Sequence, residues 1–62
     1  MIVYEQLSPV LFRARHDEGG RIRPADTDVV TAAMLLSTFY VRRLVSIRKV
    51  PDKQVVEIRL EE

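Results

Sequence analysis

Arginine is the residue type of this sequence that could do the most chemistry, since the chain has eight arginines and only two lysines. A guanidinium group makes paired hydrogen bonds to phosphate, carboxylate or guanine, which an ammonium group does not. Two basic groups stand out along the chain, and we take their eight residues as candidate binding residues. The first is Arg13, Arg15, Arg21 and Arg23, and the second is Arg42, Arg43, Arg48 and Lys49.

The charge balance leaves both nucleic acid and protein open as the ligand of these arginines. The net charge is only +1 and the isoelectric point is 8.2, below the basic extreme (above about 9) typical of nucleic-acid-binding domains. Phe12 is the only aromatic residue near the first group, so no series of rings is available for stacking bases. Four acidic residues lie close by and would neutralise a solvated face: Asp17, Glu18, Asp26 and Asp28.

Catalytic and metal-binding groups are scarce. The chain has no cysteine and a single histidine, which excludes disulfides, cysteine nucleophiles and a multi-histidine metal site within one chain. His16, Asp17 and Glu18 are adjacent, and adjacent strand residues point to opposite faces, so we do not expect them to converge on a metal. No serine lies in a nucleophile motif, and Gly19-Gly20 lacks the lysine and hydroxyl of a phosphate-binding loop. We predict no catalytic residues, no metal site, no cofactor and no enzymatic activity.

A first hairpin around the two glycines would position the first arginine group. Its arms are Val10–His16 and Arg21–Arg23, joined through a loop at Glu18–Gly20 with glycine in the left-handed position. The returning arm is short because Pro24 cannot donate to a strand ladder. This register puts Arg13, Arg15, Arg21 and Arg23 on one face, and Phe12, Ala14, His16 and Ile22 on the other.

A second hairpin, from Leu44 to Leu60, is the clearest element. Pro51 presets the backbone of a turn, and a four-residue loop, Pro51–Gln54, fixes the register. Arg48 then faces Glu57 as an opposite-charge pair. The same register pairs Val50 with Val55, Ile47 with Ile58 and Val45 with Leu60, and it places Val45, Ile47, Val56, Ile58 and Leu60 on one apolar face.

Between the hairpins, residues 26–43 are predicted to form one helix. Charges at both ends suit the helix dipole: Asp26 or Thr27 as cap, Asp28 in the first turn, and Arg42 and Arg43 in the last. A strand is the alternative, because β-branched and aromatic residues are frequent at both ends. The length of 18 residues and the run Ala32–Leu36 favour the helix.

The remaining segment, Met1–Leu7, is predicted to be a strand beside the second hairpin. The sequence therefore predicts a single small α+β domain over residues 1–62. Its antiparallel sheet consists of the N-terminal strand and the two hairpins, packed on one central helix.

The helix is apolar around most of its circumference, and a helix of that kind is normally buried on most sides. A chain of this length buries only about 60% of the surface that its unfolded form exposes. We therefore expect a homodimer, with Val30, Met34, Leu35, Tyr40 and Val41 at the interface. The alternatives are a monomer wrapped by the N-terminal strand and first hairpin, and docking of a different protein on the apolar face.

For function, the first hypothesis is a small non-enzymatic interaction module or regulator that binds a larger protein, with inhibition of that protein as one possible outcome. It would mask or bridge the partner through the arginine face, the apolar helix flank or an exposed sheet edge. The second is a dimeric nucleic-acid-binding regulator that uses the arginine-bearing hairpin. The longest nearly apolar stretch, Val29–Val41, has 13 residues, short of the roughly 20 that cross a bilayer. No export signal opens the chain, so we expect a cytoplasmic protein without a membrane partner.

Overall fold

Strands β2 (Leu11–His16) and β4 (Val56–Leu60) form the centre of one antiparallel sheet. The outer strands are β1 (Ile2–Ser8) and β3 (Leu44–Lys49), so that the order across the sheet is β1-β2-β4-β3. One helix, α1 (Thr27–Tyr40), packs on one face of this sheet. The computed structural model describes all residues from 1 to 62. It confirms the predicted α+β fold with a single helix and an antiparallel sheet.

The β3–β4 hairpin keeps the predicted register around its turn. Arg48 faces Glu57, Ile47 faces Ile58, and the amide of Val50 donates to Val55 at 3.0 Å. Farther from the turn the prediction is wrong: a bulge shifts the register, so Leu44 rather than Val45 lies opposite Leu60. The extra residue of a bulge leaves the ladder, and here the Val45 side chain is exposed to solvent.

The predicted first hairpin does not form. β2 pairs instead with β1 through a tight turn at Pro9-Val10, in which the Val10 amide donates to Ser8 Oγ at 3.2 Å. The predicted position of the N-terminal strand, beside the second hairpin, is wrong, because β2 lies between them. β1 supplies seven residues for pairing, whereas the segment before Pro24 supplies only three, so the longer ladder forms.

The glycine turn exists, but it opens a loop. Gly19 and Gly20 both have positive φ, 76° and 94°, and the Gly19 amide donates to the His16 carbonyl at 3.0 Å. The chain then crosses toward α1 without forming a strand. Ile22, which was predicted to lie on a strand, is fully buried and so anchors this loop in the core.

The helix is shorter than predicted and ends at Tyr40. Val41 adopts a left-handed conformation with φ 54° and ψ 48°. Its amide and that of Arg42 donate to Thr38 and Ser37 at 3.2 and 3.0 Å, which is the pattern of a Schellman cap. Arg42 and Arg43 therefore lie beyond the last turn, and no basic residue is in it.

The helix begins after Asp26, whose carboxylate makes no capping hydrogen bond. It accepts hydrogen bonds from the amide and the Nε of Arg23 instead, at 3.1 and 3.2 Å. The predicted acidic residue of the first turn, Asp28, is present there.

The core lies entirely between the sheet and α1. Phe12 is at its centre, with ring centroids 6.4 Å from Tyr4 and 5.4 Å from Tyr40. The ten buried residues are Val10, Phe12, Ala14, Ile22, Val29, Ala33, Leu36, Val56, Ile58 and Leu60. The opposite face of the sheet has no covering element. The helix is too short to cross a membrane.

Candidate binding surfaces

The uncovered face of the sheet carries a row of alternating charges that crosses all four strands. The strand register places Glu5 beside Arg13, Arg13 beside Glu57, and Glu57 beside Arg48. Arg13 Nε lies 3.0 Å from Glu57 Oε2. Cross-strand pairs are the unit of sheet stabilisation, and the Arg13–Glu57 pair links β2 to β4. The row as a whole presents alternating charges to solvent.

Two further arginines, Arg15 and Arg59, lie on the same face. Neither they nor Arg48 form an ion pair, although Arg15 donates to the carbonyl of His16 at 3.2 Å. A shallow depression of about 290 Å³ lies between β1 and β2, with Val3, Glu5, Arg13 and Arg15 in its lining. We call this surface the arginine sheet face; it consists of Glu5, Arg13, Arg15, Arg48, Glu57 and Arg59.

The structure brings only part of the predicted binding residues together. Arg13, Arg15 and Arg48 lie on the arginine sheet face, whereas Arg21 and Arg23 lie in the loop after β2. The predicted four-arginine face is therefore wrong, because Arg21 and Arg23 belong to no strand. Arg42 donates to the Glu61 carbonyl, and Lys49 bonds to the carbonyls of Val50 and Lys53.

Sequence reasoning missed Arg59 as a binding candidate. The signal was present, since Arg59 follows Glu57 by two positions and the alternation of β4 puts both on one face.

A second surface is an apolar groove between α1 and β1, which we call the α1–β1 groove. It has two parts, of about 410 and 620 Å³. Tyr4 and Leu35 line both parts and separate them. Leu35 is 64% and Phe39 77% exposed, and the helix has one charged residue, Asp28.

Of the predicted interface residues, only Leu35 and Tyr40 line this groove. Val30, Met34 and Val41 are exposed but line neither part of it. Tyr40 is half-buried, and its ring packs on Phe12.

The groove is bordered by an unpaired strand edge. The Asp17 amide donates to the Met1 carbonyl at 3.0 Å, which fixes the phase of the β1–β2 ladder. In an antiparallel pair every second residue turns its amide and carbonyl away from the neighbouring strand. Ile2, Tyr4 and Gln6 therefore direct these groups outward from the sheet.

One cluster of possible metal ligands escaped the sequence analysis. His16, Asp26 and Asp28 bring their ligand atoms within 4.8 Å of one another, because the start of α1 returns to the end of β2. Asp28 Oδ2 is 3.7 Å from His16 Nδ1, while Asp26 binds Arg23. Both carboxylates thus have cationic or donor partners, and the cluster ties the helix to the sheet.

No family model, curated protein or solved structure matches this chain. Function must therefore be argued from the two surfaces themselves.

Proposed function

We propose that this chain is a non-enzymatic interaction module that binds and regulates a larger protein through the arginine sheet face. The observation that carries the proposal is the alternating row of Glu5, Arg13, Glu57 and Arg48, which lies on a face without a covering element. The partner surface that fits it is acidic overall, with basic residues opposite the two glutamates.

The alternation favours protein over nucleic acid as the ligand. A phosphate backbone is uniformly negative, so Glu57 at the centre of the face and Glu5 at its edge would repel it. The face also lacks a ring for stacking bases, since Tyr4 and Phe12 are on strand positions that point toward the helix. The arginine-bearing hairpin, on which the nucleic-acid hypothesis depended, does not form.

Three unpaired arginines supply the attraction. Arg15, Arg48 and Arg59 are exposed and have no carboxylate partner within 4.0 Å. Arginine is enriched among the residues that dominate protein interfaces, because its planar group binds carboxylates in two places. Arg13 already forms an ion pair with Glu57, so it is less available than the other three arginines to bind a carboxylate of the partner.

The test is a triple variant, Arg15→Ser, Arg48→Ser and Arg59→Ser, used as bait in nuclease-treated lysate of the source cells. The matched control is Arg21→Ser, Arg43→Ser and Lys53→Ser, which removes the same charge from exposed positions outside the face. A protein that the wild type and the control retain, and that the triple variant loses, supports the proposal. Amide NMR shifts of the wild type with the purified partner must then map to the arginine sheet face.

A different set of results overturns the proposal. If the partner binds the triple variant as tightly as the wild type, another surface is responsible. If the wild type instead binds a short duplex DNA or RNA, with affinity that falls by orders of magnitude between low and moderate salt, the ligand is nucleic acid.

A further inference from the structure

We infer that two copies of this chain pair through β1, antiparallel and about a two-fold axis at Tyr4, to form one continuous eight-stranded sheet. This inference uses the β1 edge and the α1–β1 groove, and it does not rest on the arginine sheet face as a binding site. It assigns a single occupant, a second copy, to the surface that the monomer leaves open.

The register follows from the outward groups of β1. Ile2, Tyr4 and Gln6 each present an unpaired amide and carbonyl at this edge. When the two-fold axis passes through Tyr4, Tyr4 pairs with the partner's Tyr4 and Ile2 pairs with the partner's Gln6. All three residues of each copy then form hydrogen-bonded pairs, and a two-fold pairing of this kind closes on itself.

Charge distinguishes this register from its neighbours. A shift of the axis to Glu5 would place that residue directly opposite the partner's Glu5, and like charges directly opposite destabilise a sheet. The axis at Tyr4 places Glu5 opposite the partner's Val3 instead. Within each copy, Val3 lies opposite Arg15 of β2, so an arginine is near Glu5 across the interface.

The position and the chemistry of the α1–β1 groove both fit the proposed two-fold axis at Tyr4. Tyr4 and Leu35 stand at its middle and line both halves, so an axis at Tyr4 brings the two grooves to face each other. Phe39 and Leu35 are exposed apolar side chains, and the part of the groove that both line has no charged residue, whereas Asp28 lines the other part. Depletion of charge and enrichment of aromatic residues are features of an interface centre.

The other edge of the sheet explains why pairing would stop at two copies. β3 is interrupted by the bulge at Val45 and carries Arg48 and Lys49. The register shift of β1 lies between Gln6 and Ser8, outside the residues that pair in the dimer. Bulges and edge charges are the devices that block edge-to-edge pairing, so the assembly is a closed dimer.

Sedimentation velocity at tens of micromolar tests the inference, with circular dichroism to show that each variant is folded. The wild type is expected at twice the chain mass of 7.2 kDa. Leu35→Lys is expected to shift to the mass of one chain, because it places a charge at the middle of the interface. Val45→Lys is the matched control, since Val45 is similarly exposed but lies at the opposite edge, and it should remain dimeric.

A cysteine scan tests the axis itself, because the chain has no cysteine of its own. Hydrogen-bonded antiparallel pairs have Cα atoms about 5.5 Å apart, within the range of a disulfide. Tyr4→Cys should therefore form an intersubunit disulfide under mild oxidation, whereas Val45→Cys should not.

Three results would overturn the inference. They are a wild type of single-chain mass, a Leu35→Lys variant that stays dimeric, and a Tyr4→Cys variant that does not cross-link. None of them affects the lysate experiment on the arginine sheet face, so the two proposals fail separately.

Discussion

The two edges of the sheet meet solvent in opposite ways. β3 has a bulge at Val45 and ends in charged residues, and Lys49 reaches back to the carbonyls of the following turn. β1 is regular from Ile2 to Gln6, where its own register shift begins, and it borders a largely apolar groove. Edges of the first kind resist pairing and edges of the second kind invite it. The fold thus separates its surfaces, with one edge suited to assembly and one sheet face suited to a charged partner.

The largest expected effect on the free energy of unfolding comes from truncating side chains of the core. Phe12 is 1% exposed and contacts both Tyr4 and Tyr40 on the β1 side, so Phe12→Ala should lower the free energy of unfolding by about 3–5 kcal/mol. This is roughly the whole stability of a core this small, and the variant should lack a folded circular dichroism spectrum. Ile47→Ala, on the β3 side, should cost about 1–2 kcal/mol because Ile47 is only half-buried.

Urea unfolding of Ile47→Ala and of the wild type measures the smaller of these two losses in the free energy of unfolding. If Ile47→Ala also lacked a folded spectrum, the expected difference between the two core positions would be contradicted.

A smaller effect, of opposite sign, is expected where the chain turns from α1 into β3. Val41 is a β-branched residue at positive φ, a conformation that costs roughly 1–2 kcal/mol for a residue with a Cβ. Val41→Gly should raise the free energy of unfolding by about 0.5–1 kcal/mol. This gain is smaller than the strain that is relieved, because glycine loses more conformational entropy on folding. The control is Val45→Gly on β3, where φ is not positive and glycine should destabilise. A lower melting temperature for Val41→Gly would show that the cap is not strained.

The smallest effect concerns the charge row that links the two edges. A double-mutant cycle on Arg13 and Glu57 should give a coupling of about 0.5 kcal/mol, because both side chains are partly exposed. The cycle on Arg48 and Glu57, which face each other without an ion pair, should give less. The Arg13–Glu57 coupling should fall as salt is added, and one that is independent of salt would point to packing as its origin.

The sequence was a good guide wherever local signals agreed. The turn at Pro51 and the alternation of β4 predicted the β3–β4 register from the turn as far as Ile47, and the absence of glycine and proline predicted α1. These features depend on neighbours in the chain, so periodicity and turn chemistry are sufficient to find them.

The errors arose where two local signals competed, or where a contact between distant residues determined the local structure. Ser8-Pro9 and Gly19-Gly20 both mark turns that could make β2 part of a hairpin. The first turn is used because it gives β2 the longer partner strand, β1. The helix end at Tyr40 depends on a left-handed valine, which propensity disfavours. Leu44 rather than Val45 packs against the core because a bulge shifts the register of β3.

The candidate site was predictable only in part, for the same reasons. The pairing of Arg48 with Glu57 followed from the hairpin register. Arg13 could not be placed beside Glu57 from sequence, because that contact depends on the order of strands in the sheet. The His16–Asp28 contact likewise requires the path of the loop after β2.

That strand order also has a kinetic consequence. Arg13 and Glu57 meet at the centre of the sheet although 44 positions separate them in the chain, whereas each hairpin needs only near neighbours. We expect the hairpins to gain structure early and the joining of β2 to β4 to limit the folding rate, because distant contacts form only after loop entropy is lost. That entropy grows with the logarithm of loop length, so a shorter loop after β2 would accelerate folding only slightly.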